Sequence, residues 1–272
     1  MTHYPTLSGE QGQPESTDCV GDFPLNKSGQ LSVSDRSAWL NLDTKQFSVI
    51  LFVIAAVLVA VGAYANIVIY QIAESPEADI ARVMRRFDLG HEPSLPAWFS
   101  SMVLFLNGAM LVLIARAKKA HAEPFAMHWL VLGIIFLGLS IDEAVMFHEM
   151  ADTLISNIFS TSGFLLFPWA VLGSAFALIV FFTYLSFLFH LPRRFAFLFV
   201  LSGALYVGGA AGMEFIAGSV IDRYGVESIY HTIVQTIEES LEMAGAILFF
   251  FSLMEYWKCT YGIMRIETSK QG

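Results

Sequence analysis

The chain has 272 residues, 56% of them hydrophobic and only 14% charged, with a mean hydropathy of +0.60. That balance excludes an ordinary soluble domain and points to an integral membrane protein. Fifteen Lys and Arg against 24 Asp and Glu give a formal charge of -9, which excludes the clustered positive charge that a nucleic-acid partner requires.

Residues 1–46 are polar, rich in Ser, Gly, Thr, Asp and Gln, and hold no apolar run able to act as a signal-peptide core. A disordered tail is expected there. Six long apolar runs follow, at roughly 47 to 73, 97 to 116, 127 to 150, 165 to 190, 195 to 218 and 231 to 257. Each has about the 20 residues that a helix needs to cross a hydrocarbon core of about 30 Å. The expected fold is all-α and polytopic: six transmembrane helices in one bundle over 47–258, with a short C-terminal tail at 259–272. Cys19 and Cys259 lie far apart and outside every run, so neither a disulfide framework nor a thiolate metal cluster is expected.

Orientation follows from the basic residues that flank the runs. Lys27, Arg36, Lys45, Arg116, Lys118, Lys119, Arg193, Arg194, Lys258, Arg265 and Lys270 fall on one side. Only Arg82, Arg85, Arg86 and Arg223 fall on the other. Both termini are therefore expected in the cytoplasm, of a bacterial inner membrane.

In the first connection, Ser75 and Pro76 suit a helix start and Gly90 its end. Between them Ile80, Val83, Met84 and Phe87 recur at helical spacing, with Arg82, Arg85 and Arg86 on the opposite arc. This predicts a short amphipathic helix, either lying at the membrane surface or packed on the rim of the bundle. In the fifth run Ala204, Gly208 and Gly212 form a small-xxx-small row, the pattern of close helix packing.

Ionisable residues inside a bilayer are costly and mark functional sites by default. The third run ends with Asp142, Glu143, His148 and Glu149, the fifth contains Glu214, and the sixth contains His231, Glu238, Glu239 and Glu242. With the predicted topology all nine lie in the outer half of the membrane. At 100° per residue, His231, Gln235, Glu238 and Glu242 fall within an arc of about 60°, a polar stripe about 16 Å long. Asp142 and Glu149 nearly superimpose on the third run, with Glu143 beside them and His148 off to one side.

None of the six apolar cores contains a Lys or Arg to neutralise these acids. Buried acids without cationic partners stay protonated, share protons or bind a cation. Carboxylate with His is the ligand set of zinc, manganese and non-haem iron. Asp142, Glu143, His148, Glu149, Glu214, His231, Glu238 and Glu242 are the candidate ligands of one or two divalent ions, with Glu238 and Glu239 as candidate catalytic acid and base. The inventory resembles that of the di-iron carboxylate proteins, although their paired Glu-x-x-His repeat is absent, so the resemblance covers the composition of the site alone. Asn107 is a candidate donor to a carboxylate. Tyr70 and Trp98 suit an interfacial aromatic belt, and His128 and His190 lie at the opposite helix ends.

No core lysine, phosphate loop, nucleophile elbow or His-Glu-x-x-His motif is present, which removes a retinal Schiff base and ATP-driven transport by this chain alone. The reading that follows is a metal-dependent membrane enzyme that oxidises or hydrolyses a lipid or other hydrophobic small molecule. The alternatives are a proton- or cation-coupled transporter or channel, and a non-catalytic metal-binding assembly factor of a membrane complex. The transporter is disfavoured because the inner halves of the runs carry almost no ionisable residue and no inverted repeat is visible.

Overall fold

The computed structural model describes residues 44–72, 78–90, 94–156, 158 and 161–262, all within one compact unit, Ser37–Gly272. Among the described residues every regular element is helical. Ser75 and Pro76 lie outside them, as does the N-terminal tail, and nothing of the Tyr70 side chain is described.

The first long helix is α1, Thr44–Ile72. The expected amphipathic helix shrinks to α2, Ala78–Met84, followed by turns as far as Gly90. Leu89, just beyond it, is 1% exposed, and a Cβ at Gly62 of α1 would stand 2.6 Å from Leu89 Cγ. This connection is therefore packed down on the rim of the bundle at Leu89.

Next come α3, Leu95–Ala120, and α4, Ala126–Val145, which pack against each other along their length. Small residues permit the approach: a Cβ on Gly133 would stand 3.2 Å from the Gly108 carbonyl. Ser101 and Ser140 exchange hydrogen bonds across the same pair, each hydroxyl donating to the other's carbonyl at 2.7 and 2.8 Å.

Three of the six apolar runs are not continuous helices. The third breaks at Met146, a left-handed residue with φ 61°, and resumes as α5, Phe147–Ser156. The fourth divides at Tyr184 into α6, Pro168–Thr183, and α7, Leu185–His190. The fifth comprises α8, Arg193–Val207, a π-helical turn at Gly208–Met213, and α9, Glu214–Tyr224. Last is α10, Ile229–Tyr261, begun by the Ser228 hydroxyl accepting from His231 N–H and closed by Gly262 at φ 80°.

At 33 residues α10 is the axis on which α1, α3, α8, the π-turn and α9 pack. Asn107 of α3, fully buried, donates to the Ala246 carbonyl of α10 at 2.9 Å and to its own Val103 carbonyl. The residue therefore ties two helices together and does not serve a carboxylate. At the end of α10, Cys259 is disulfide-bonded; the chain's other cysteine, Cys19, lies outside the described residues.

Four helical segments are long and apolar enough to cross a membrane: Thr44–Ile69, Leu95–Ala120, Ala126–Val145 and Arg193–Tyr224. Their outward faces carry exposed apolar side chains, among them Val49, Val53, Phe105, Ile134 and Phe197. Such surfaces suit hydrocarbon rather than water. The fourth run yields only the shorter apolar helix Pro168–Thr183, and α10 is long but carries Glu238, Glu239, Glu242 and Glu255.

Candidate functional site

The break at Met146 brings an acid and an imidazole together. Because the backbone reverses there, the Asp142 carboxylate accepts from His148 N–H at 3.0 Å while its other oxygen lies 3.1 Å from His148 Nδ1. Asp142 thus serves as the cap of α5, satisfying one of the donors that a helix start leaves open. His148, expected off to one side, is in direct contact with Asp142 because the helix between them is interrupted.

From α5 the polar chain continues through Trp169, in the first turn of α6. Its backbone N–H donates to Asp152 Oδ1 at 2.7 Å, its indole Nε1–H donates to Glu214 Oε1 at 3.2 Å, and its ring lies 5.0 Å from the His148 ring. Asp152 sits outside the apolar helices. Burial pushes its carboxyl above the ordinary value of 3.8, opposed by the Trp169 N–H and by His148.

Glu214 follows directly on the π-turn, a distortion often found at functional sites. The same turn sets Gly209 against α10: a Cβ there would stand 2.8 Å from Glu242 Cγ and 2.9 Å from the Glu238 carbonyl. One turn further along, Gly245 of α10 leaves a Cβ position only 2.6 Å from Tyr206 N. These contacts replace the small-xxx-small row. A Cβ on Gly208 meets nothing within 4 Å, and one on Gly212 meets only the Val207 carbonyl of its own segment at 4.0 Å. Glu242 lies within electrostatic reach of Glu239, Glu143, Glu238 and Glu214.

All of these groups line one cavity of about 1220 Å³. Asp142, Glu143, His148, Glu149, Glu214, His231, Glu238, Glu239 and Glu242 are each on its wall, together with Gln235. The stripe read from α10 therefore faces inward as a unit. His231 marks the rim, with Nδ1 3.0 Å from the Val226 carbonyl. The remaining wall is mostly apolar, with Phe136, Phe176, Phe181, Phe199 and Phe249 among its residues and the hydroxyls of Ser174 on α6 and Ser202 on α8 beside them, and none of the lining residues is Lys or Arg.

At the end remote from the acids, aromatic rings fill the bundle. Trp129 packs edge-on to Phe187 and Phe199 and lies 4.9 Å from Tyr256, while His128 accepts from Tyr184 Oη through its carbonyl at 2.9 Å. His128 and His190, whose rings both lie 4.9 Å from Phe125, belong to this end, away from the acids.

Three lining residues escaped the sequence reading. Asp152 falls just beyond the third run and resembles a solvated helix end. Trp169 and Tyr206 sit in apolar runs where an aromatic residue is unremarkable. Spacing offered a signal only for Asp152, which stands three residues after Glu149. As the side chains stand, no three or more His, Cys, Asp or Glu among the described residues converge closely enough to hold a metal ion.

Residues 50–257 match the family described as "Domain of unknown function (DUF8692)", and the chain belongs to that family. No curated protein and no solved structure matches it.

Proposed function

We propose that this member of the DUF8692 family is a six-span enzyme of a bacterial inner membrane that acts on a hydrophobic substrate at a metal centre near the outer leaflet. Two spans would join the four apolar ones: α6 with α7, and α10, whose acids face the cavity instead of lipid. The observation that carries the reading is the polarity of the cavity. Acids and His from four helices gather at one end, the walls beyond are mostly apolar, and aromatic rings fill the bundle at the far end. A conducting path needs polar or wetted lining through both halves; a reaction chamber for a lipid-soluble substrate needs polar groups only where the chemistry is.

In this reading Asp142, Glu143, His148, Glu149, Glu214, His231, Glu238 and Glu242 supply the ligands of one or two zinc, iron or manganese ions. Rotation of the flexible Glu side chains would draw a ligand set together, since no three donors converge as they stand. The metal would contribute Lewis acidity or an activated water or dioxygen. Glu238 and Glu239, adjacent on α10 and both on the wall, would hold and deliver the proton.

The test is metal content per chain, measured on protein purified without chelator, for the wild type, Glu238→Gln and Glu238→Asp. Gln keeps the size but removes the charge that holds the ion, so bound metal should fall by about tenfold or more. Asp withdraws the carboxylate by about 1.5 Å from a coordination sphere that tolerates about 0.2 Å, and should lose metal too. Metal-free wild-type protein, or full occupancy in Glu238→Gln, defeats the metal-centre reading and promotes the proton-coupled transporter, in which Asp preserves function and Gln abolishes it.

A further inference from the structure

We propose that the ligand of this cavity is a single-chain amphiphile with a cationic ammonium head, its head among the acids and its chain along α6. The inference rests on the cavity being a substrate site and adds the class of molecule it takes.

The first argument is shape. Along α10 the lining runs from His231 to Phe249, a rise of about 27 Å at 1.5 Å per residue. At about 1220 Å³ the cavity exceeds the roughly 300–1,000 Å³ usual for compact small molecules. A space this long, polar at one end and mostly apolar along the rest, matches a molecule built the same way.

The second argument is access. The main contacts of α6 are with α5, the π-turn and α7; α4, α8 and α10 face it across the cavity. Both sides of α6 are mostly apolar: Leu172, Ile179 and Phe182 are exposed outward, while Ala177, Val180 and Phe181 line the interior. A chain entering from the bilayer meets no charged side chain along this helix.

Charge then selects the head. The wall holds eight Asp and Glu residues and no Lys or Arg. A phosphate or carboxylate head would be set among like charges in a poorly solvated space, whereas an ammonium gains from every ionised acid. Trp169 adds an indole face at the same end, a surface that attracts cations.

The experiment uses the full chain in phosphatidylcholine nanodiscs with a photoreactive hexadecyl probe bearing an amine, a carboxylate or an alcohol head, and maps the labelled peptides. The amine probe should label the α6 and α8 stretches that line the cavity. Hexadecylamine should compete about tenfold better than palmitate, the expected consequence of opposite head charges. Gly203→Phe provides the block. Gly203 lies on the wall and a Cβ there meets nothing within 4 Å, so the position accepts a side chain at its root and the ring should take up ligand space, and its helix propensity exceeds that of Gly. It should abolish labelling, while Gly203→Ala, equal in thermal stability, retains it.

Equal labelling by the carboxylate or alcohol probe overturns the cationic head. Labelling indifferent to Gly203→Phe, or absent from the cavity, overturns the chain site. Metal content of the same samples is scored separately: labelling without metal removes only the metal centre, and metal without labelling removes only this ligand.

Discussion

At Gly209 a hydrogen atom is all that separates the π-turn from α10. A Cβ would lie 2.8 Å from Glu242 Cγ and 2.9 Å from the Glu238 carbonyl, and one of these neighbours is backbone that cannot swing aside. Gly209→Val should therefore destabilise the protein by about 1–3 kcal/mol, the usual cost of overpacking, and displace two carboxylates of the proposed site. Gly208→Ala, one residue away in open space, should be close to neutral. Thermal unfolding in detergent of the two variants checks the pair, and equal stability would show that the close approach is not needed. The sequence marks the wrong glycines because the four-residue spacing of Ala204, Gly208 and Gly212 assumes a regular helix, and the π-turn rotates the contact face onto Gly209.

Among the elements, α5 is held to the rest by few polar links: the Asp142 cap at its start and Asp152 beneath Trp169 N–H. Because burial raises the Asp152 carboxyl above its ordinary 3.8, the folded protein keeps that proton to higher pH than the unfolded chain does. The contribution to stability is then fully present below 3.8 and is lost as pH rises through the raised value. Hydrogen exchange of the 147–156 peptides, corrected for intrinsic rates, should show protection falling as pH rises from 3.8 through the raised value in the wild type. Asp152→Asn retains an oxygen for the Trp169 N–H but does not titrate, and should hold protection constant. A wild-type profile that is flat over this range would contradict the linkage.

The elements also show what periodicity can and cannot reveal. His231, Gln235, Glu238 and Glu242 share a wall as the 100° rule requires, since α10 is unbroken from Ile229 to Tyr261. The same rule fails between Asp142 and His148, where Met146 turns left-handed with no Gly or Pro to announce it. Asp142 itself compensates: its carboxylate takes up the His148 N–H that the break exposes. Such a tertiary compensation has no sequence period. The identity of the acids was therefore readable, whereas their contacts, together with Trp169 and Asp152, depend on interruptions that an apolar run conceals.

Over the whole molecule, successive helices alternate so that the end of α3, the start of α4, the start of α8 and the end of α10 meet at the aromatic end. There Lys118 bonds Glu123 at 2.5 Å, Arg194 lies 3.8 Å from the buried Glu255, and Tyr184 reaches His128. Arg116, Lys119, Arg193 and Lys258 belong to these same helix ends. Basic residues concentrate on the cytoplasmic side of membrane proteins, so the proposed orientation puts the aromatic end in the cytoplasm and the acids in the outer leaflet. A fluorescent reporter fused after Gly272 should then be bright and an alkaline phosphatase fused there inactive, with the opposite result for insertions at Gly225. Active phosphatase at the C-terminus would reverse the assignment. The acid-lined mouth would then draw its ligand from the inner leaflet, with the cavity's wall residues unchanged.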